Sequence, residues 1–383
     1  VAVSFLYKNA SGREIQHGSN SSLSTYRTCR RKFKLNRVDG WKQKGHKASL
    51  EYGKAVEDAI MYYHANGLKK GDCLEEFQRI WLKWADQDLS YTDQEGDFFQ
   101  LMGMGKEMAR LYEARLPSLP IRNPKFQLQY LKKVFEGTEL ADLEFMGYVD
   151  MLSTLEDGSR LIIDIKTAKS GLDLTPNMLS MDPQLREYAW LSGIRDVAFL
   201  WFVKSKAGVK KGDTVSLLDE GGAEMTAFKY QKDEETQEEK VLLGHPIAVQ
   251  ILDDQLSEIK GKGSTKLQEA FVENWVELGI IRWVPRDQIV KVRLQFVRAT
   301  IPAEIIPEVG NRVGHLMVQM RQSALDNDYP QDGGVRFPNQ ICTWCEFRGC
   351  CLKDQGLRDA LLVQIAPAAN EPDWLDDLEE EAA

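Results

Sequence analysis

Apolar positions along the chain change period twice and divide it into helical and extended stretches. A helix is predicted from Ser21, with Ser22 or Ser24 as its cap and with Phe33 and Leu35 at helical spacing. A second starts near Ser49 and carries Tyr52, Val56, Ile60 and Tyr63 on one side. Helical spacing recurs over 73–89 and 98–115, before Pro117 and Pro120 interrupt it. From about Phe126 the period falls to two, which predicts strands near 126–136, 143–154 and 160–167. A helix over about 183–193 and a strand from Val197 to Val203 follow. Residues 204–240 are polar and rich in glycine, and read as an insertion, a long hairpin or a loop. Helical spacing returns over 253–278, a strand is predicted near 289–297, and a last long helix over 302–326.

Two of the predicted strands carry charge at chosen positions. In Leu161-Ile-Ile-Asp164-Ile-Lys166, alternation sends Asp164 and Lys166 to one face and Ile163 and Ile165 to the other. An apolar face then packs on the core, and the charged face is left for other use. The preceding strand holds Gly147-x-x-Asp150, and Glu156-Asp157-Gly158 joins the two. A three-residue loop with Gly158 in the left-handed conformation pairs Leu155 with Ser159 and sets Asp150 opposite Asp164. A two-residue loop would turn Asp150 to the wrong face. Adjacent carboxylates repel each other unless a cation lies between them, and Mg²⁺ or Mn²⁺ suits an all-oxygen donor set. Lys166 beside them can orient water or neutralise charge on a phosphate. On the helix that follows, Gln184 and Tyr188 share one face at i and i+4.

Composition narrows the setting. The chain is 43% hydrophobic and 28% charged, as a core-forming globular protein is, and no apolar run reaches the ~20 residues of a membrane span. A cytoplasmic protein is expected, bacterial or from a phage in its host's cytoplasm, with no membrane partner. The net charge of −9 hides a basic run between Arg27 and Lys47, which includes Arg30, Arg31, Lys32, Lys34 and Arg37 with Asp39 its one acid. Local charge governs phosphate binding more than the total does. The last residues are acidic and read as a disordered tail, in which Trp374 and Leu375 offer a motif to a protein partner. Gly261-Lys-Gly-Ser-Thr lacks the spacing of a phosphate loop, so no ATPase motor is read. Six cysteines in a cytoplasmic chain favour a metal over disulfides. Cys342-x-x-Cys345 followed by Cys350 and Cys351 has the density of a metal site, and four thiolates suit an iron–sulfur cluster or Zn²⁺. Cys73 reads as a small buried apolar residue.

Gly147-x-x-Asp150, Asp164-x-Lys166 and Gln184-x-x-x-Tyr188, in that order, resemble the PD-(D/E)xK nuclease core of the RecB/Cas4-like exonuclease branch. The resemblance runs from Ser22 to Cys351. It implies a mixed central sheet flanked by helices, with a helical N-terminal region. It implies that Asp150 and Asp164 bind the metal with the carbonyl of Ile165, that Lys166 is catalytic, and that Gln184 and Tyr188 contact DNA or support the site. Glu57, in Gly53-Lys-Ala-Val-Glu57, stands where that branch usually has a metal-binding His; a carboxylate there favours Mg²⁺. The resemblance also implies a [4Fe–4S] cluster on Cys29, Cys342, Cys345 and Cys351, a C-terminal clasp that joins the chain's two ends. Cys350 competes for the third place, and Zn²⁺ is the runner-up metal. The clasp would hold Arg30, Arg31 and Lys32 where DNA enters. The expected divisions are an extension at 1–20, a helical region at 21–120, the nuclease core at 121–203, a polar insertion at 204–245, the rest of the core at 246–336, the clasp at 337–355 and the tail at 356–383. The activity implied is hydrolysis of DNA from single strands or duplex ends, 5′→3′ being one polarity the branch uses. The alternative is a non-catalytic DNA-end-binding scaffold that keeps the cluster.

Overall fold

The computed structural model describes residues 6–9, 12–91, 97–135, 143–168, 175–205, 211–218, 224–232, 239–259, 264–285, 291–334, 340–343 and 345–365. The acidic tail with Trp374 and Leu375, and the stretch around Gly261, lie outside them. The central sheet holds six strands: β1 (His17–Ser19), β2 (Lys125–Lys133), β3 (Glu144–Thr154), β4 (Arg160–Ala168), β5 (Asp196–Ser205) and β10 (Lys291–Thr300). Its order is β10-β5-β4-β3-β1, with β2 also paired to β3. The β4–β5 and β1–β3 pairs are parallel and the others antiparallel. This is a mixed sheet, and helices cover both faces.

On one face lie α3 (Ala48–Ala65), α4 (Asp72–Leu82) and α5 (Phe98–Arg115), whose apolar stripes meet Ile163, Ile165, Ala198, Leu200 and Phe202 in one core. On the other lie α1 (Asn20–Thr28), α6 (Pro183–Ser192) and α9 (Ile305–Asp326), which meet Val149, Leu152, Ile162, Val197 and Phe199. Tyr52, Phe77 and Trp81 are fully enclosed in the first core, and their ring edges and faces interlock at 5.7–6.4 Å between centroids. The cap of α1 is Ser19, not Ser22 or Ser24. The Ser19 side chain accepts from the Ser22 N–H, while Ser22 accepts from the Ser19 N–H, so Ser22 serves as the reciprocal partner of a capping box.

The polar stretch after β5 is neither one loop nor one hairpin. It contributes β6 (Thr214–Leu218), β7 (Glu224–Lys232) and β8 (Glu239–Gly244) to a second, four-stranded antiparallel sheet, which β9 (Ile281–Pro285) completes. Two helices, α7 (Pro246–Glu258) and α8 (Ser264–Glu277), stand where one is predicted over 253–278. They bury Val249, Leu252 and Val272 against Phe228, Leu242 and Ile281. The whole unit is an excursion between β5 and β10, which pair with each other from Asp196–Thr300 to Ser205–Lys291. The described strands and helices of this unit run from Thr214 to Pro285.

The C-terminal end of the described chain returns to residues 31–43. A short strand Leu362–Gln364 pairs antiparallel with Trp41–Gln43. The Arg31 N–H donates to the Pro330 carbonyl at 3.1 Å and the Ile365 N–H to that of Gly40 at 2.9 Å. Among the described residues, no helix is long and apolar enough to cross a membrane.

Candidate active site

The site is built where β3 and β4 part. Their hairpin closes through Glu156-Asp157-Gly158: the Leu155 N–H donates to Ser159 at 2.7 Å, the Gly158 N–H donates to Leu155 at 3.0 Å, and Gly158 has φ +80°. The ladder runs from Thr154–Arg160 to Met151–Ile163. One more step in the same register aligns Asp150 with Asp164, as the three-residue loop requires. There the backbone pairing stops, and the Asp150 side chain takes the Ile165 N–H on Oδ2 at 2.9 Å.

Asp164 is fully buried, while Lys166 on the same face of β4 keeps 37% of its side chain exposed. Asp164 shares that face with Ile162, and the core beneath α6 covers it. Gly147 explains how the helix comes so close: a Cβ there would stand 2.7 Å from Leu191 Cδ1 and 3.4 Å from Tyr188 Cε1. The glycine of Gly147-x-x-Asp150 thus makes room for α6. Gln184 donates its amide to the Tyr188 hydroxyl at 2.7 Å. From the opposite face, α3 sets Gly53 against Thr167 at the end of β4, and Glu57 follows one turn later.

Charge sets the character of this pocket. Lys166 Nζ donates to Asp164 Oδ1 at 3.1 Å and lies 2.9 Å from Oδ2, which accepts no hydrogen bond itself. Burial pushes the Asp164 carboxyl up, Lys166 opposes that, and Asp150 adds to it. Burial raises Asp150 as well, against Lys166 and the Ile165 N–H. Glu57 is pushed up to about 9 by burial and by Asp150, Asp58 and Asp164. Burial works against the Lys166 ammonium, yet Asp164, Asp150 and Glu57 outweigh it and hold the group protonated. Tyr188 is kept protonated by burial and by the negative field of Asp164 and Asp150. The structure thus brings together Glu57, Asp150, Asp164, Lys166, Gln184 and Tyr188.

Three carboxyls face one ammonium in a low-dielectric site: burial and mutual repulsion favour their protonated forms unless a cation compensates the charge, and one buried carboxylate oxygen accepts no hydrogen bond. Such an all-oxygen set fits a hard divalent cation. The carboxylates are engaged by Ile165, Lys166 and Gln127 rather than closed on a common point. Among the described residues no group of three or more His, Cys, Asp or Glu is arranged to hold a metal ion.

Two features have no signature in the hydrophobic pattern. Gln127 on β2 donates its amide to Glu57 Oε1. Glu187, fully buried on α6, accepts from Asn20 Nδ2 at 2.5 Å and lies 3.6 Å from Arg27 and 3.7 Å from Arg312. It ties the helix that bears Gln184 and Tyr188 to α1 and α9. An isolated Glu next to Tyr188 reads as a surface residue; only the packing of three helices makes it a tie.

Arg30, Arg31 and Lys32, on the short helix α2 (Arg30–Phe33), stand at the cysteine segment. Arg30 makes a two-pronged pair with Asp332, at 2.9 Å from Nε to Oδ2 and 2.7 Å from Nη2 to Oδ1. Lys32 meets Glu346 at 3.1 Å and lies over the Phe347 ring. Arg30 and Lys32 are therefore matched by acids more than 300 residues away in sequence. Cys29 is buried at the end of α1, and Cys342, Cys345, Cys350 and Cys351 are half-buried. Burial raises the Cys351 thiol, and Cys345, Cys29 and Cys342 act on it as neighbours. The neighbours that act on Cys350 are instead Arg358, Asp39 and Asp359. Cys73 is buried in the α3–α5 core.

A mixed sheet that parts to present acidic groups and a lysine, with a helix crossing over them, has the form of a nuclease core. Residues 17–352 match the family model for the PD-(D/E)XK nuclease superfamily, and the chain belongs to that superfamily. Among solved structures it is similar to one described as "Crystal structure of SSO0001", at 10% identity over 78% of this chain and 84% of that one, with a TM-score of 0.27. No curated protein matches the chain.

Proposed function

We propose that the protein is a metal-dependent DNA nuclease of the RecB/Cas4-like type, which hydrolyses phosphodiester bonds from single strands or duplex ends. The observation that carries this reading is the cluster of Glu57, Asp150 and Asp164 around Lys166. Asp150, Asp164, Glu57 and the carbonyl of Ile165 would hold Mg²⁺ or Mn²⁺. Bound there, the cation supplies Lewis-acid activation of water and neutralises charge on the phosphate. Lys166, fixed as an ammonium, donates to the phosphate oxygens or orients the incoming water. Gln184 and Tyr188, locked together, present fixed hydrogen-bonding groups to the DNA backbone. Tyr188 stays protonated beside the carboxylates, so it serves as a donor and not as a base.

In the same reading Cys29, Cys342, Cys345 and Cys351 hold a [4Fe–4S] cluster, with Zn²⁺ as the competing occupant. Support comes from the packing of the Cys342–Cys351 segment beside Cys29, where Arg30 pairs with Asp332 and Lys32 with Glu346; among the described residues the thiols are not closed into a metal-holding group. Arg30 and Lys32 then serve first to fasten that segment, while Arg31 is the member of the run left to face DNA. The acidic tail is proposed as a contact for a protein partner.

The test is cleavage of end-labelled single- and double-stranded DNA by anaerobically purified protein, with Mg²⁺, Mn²⁺ or EDTA. Metal-dependent cleavage establishes the activity, and the product ladder gives its polarity. DNA binding by a brown preparation that cuts under none of these conditions would sink the nuclease reading in favour of the scaffold.

A further inference from the structure

Gln127 occupies a place that neither its residue type nor its strand accounts for. Strand β2 pairs with β3 in one register, Phe126 opposite Met151 and Leu128 opposite Val149. Gln127 therefore stands opposite Asp150, yet that pair is missing from the ladder. The cause is its backbone, at φ +49°, in the left-handed region that favours glycine. A non-glycine residue held there inside a strand stores strain that the surrounding fold must offset, and such strain gathers at functional sites. The same residue sends its side chain across to Glu57 and donates its amide to Oε1.

We infer that Gln127 is a positioning residue: its kinked backbone aims the amide at Glu57 and holds that carboxylate toward Asp150 and Asp164 for a divalent cation. This rests on the metal-dependent reading above. The chemistry suits the task. An amide N–H is a neutral donor, so it fixes one carboxylate oxygen without cancelling the charge that the cation needs, which an ammonium would do. The second oxygen is left for the metal. Strain at residue 127 and a hydrogen bond to Glu57 are separate observations, and both converge on the residue facing Asp150.

The test separates backbone from side chain. Gln127→Gly keeps the left-handed conformation at lower strain and removes the amide. Gln127→Asn tolerates the conformation, but its amide is one methylene short of Glu57. Mn²⁺ binding to the full-length protein is measured by titration calorimetry for the wild type, both variants and Asp164→Ala, with metal-free thermal melts alongside. Both Gln127 variants should bind Mn²⁺ about 10-fold more weakly or worse. The metal-free melting temperature of Gln127→Gly should be equal to the wild type's or higher. Cleavage at limiting Mg²⁺ should fall in step and recover at saturating Mg²⁺, with KM for DNA unchanged. Wild-type Mn²⁺ affinity in Gln127→Gly would overturn the inference, as would a lowered melt with unaltered metal affinity, which marks a structural role. If the wild type binds no Mn²⁺ that Asp164→Ala loses, the metal-dependent reading itself fails and takes this inference with it.

Discussion

The carboxylate cluster and the cysteine segment are held in opposite ways. The cluster hangs on the two large cores: Asp164 lies between Ile163 and Ile165, and Tyr188 sits among Leu185, Ala189 and Leu191. Its residues are positioned by apolar packing on both faces of a sheet, at about 25 cal/mol for each Å² of apolar surface removed from water. The cysteine segment has a small core of Leu35, Phe347 and Leu362 with Trp41 beside them, and is held mainly by ion pairs and backbone bonds between distant parts of the chain. A site carried by a core keeps its geometry whether or not its ligand is bound. A site held by half-exposed ion pairs, each worth at most about 1 kcal/mol, would gain order from the cluster proposed for it.

The sharpest way to break this contrast is at the cluster. Asp164→Ala removes a proposed metal ligand and leaves Lys166 without its ion-pair partner, so cleavage should fall on the order of 10³-fold, the equivalent of several kcal/mol of transition-state stabilisation. The fold should survive, since the flanking isoleucines remain. DNA binding by fluorescence anisotropy should be retained, because the basic groups and α6 are untouched. Wild-type cleavage rates in Asp164→Ala would remove the carboxylate cluster from the mechanism.

The cysteines should respond in the reverse sense, through folding. If the proposed cluster is present, Cys351→Ser should lose its visible absorbance and melt at a lower temperature, while Cys350→Ser should keep both. The basis is the set of neighbours: Cys351 is acted on by three other thiols, Cys350 by Arg358 and two aspartates. Equal iron content in the two variants would show that the segment does not discriminate between adjacent thiols. A Zn²⁺ protein would be colourless from the start, and metal analysis then assigns the occupant.

A third expectation concerns pH. The Asp164 carboxyl is raised to about 8 and that of Glu57 to about 9, against ordinary values of 3.8 and 4.5. The native state thus holds protons that the unfolded chain has lost, so metal-free stability falls as pH rises from about 4 through about 8–9. Mg²⁺ should restore much of the loss at pH 8, because it replaces those protons as the compensating charge. Asp164→Asn should flatten the metal-free profile. A melting temperature that climbs between pH 5 and 8 in EDTA, ~3 units in which these acids dominate, would contradict the burial and repulsion described for them.

Parts of this were legible in the residues because they are local. The loop Glu156-Asp157-Gly158 dictates a register, and the register sets Asp150 against Asp164 through period-two alternation alone. Spacing at i and i+4 suffices to pair Gln184 with Tyr188. What was not legible depends on distant partners or on backbone conformation. Arg30 and Lys32 look like a free basic patch until Asp332 and Glu346 are brought to them. Nothing in a Lys-Phe-Gln-Leu strand announces the φ of Gln127. The second sheet was hidden because its strands carry only short apolar runs, such as Val241-Leu242-Leu243, in a stretch whose overall character is polar.

The mildest perturbation probes how closely core and site are joined. Gly147→Ala adds a methyl 2.7 Å from Leu191 Cδ1, the far end of a flexible side chain, and 3.4 Å from the Tyr188 ring. Leu191 can yield by a rotamer change, so the cost should be about 1–3 kcal/mol, as for other overpacked positions. Tyr188 lies on the same helix, and any lift of α6 moves its hydroxyl away from Asp164. A joined core and site therefore predict a lower melting temperature together with a several-fold lower kcat. A lowered melt with unchanged kcat would mean that α6 absorbs the methyl locally, and that Tyr188 is held by Gln184 and the Glu187 tie rather than by its contact with the sheet.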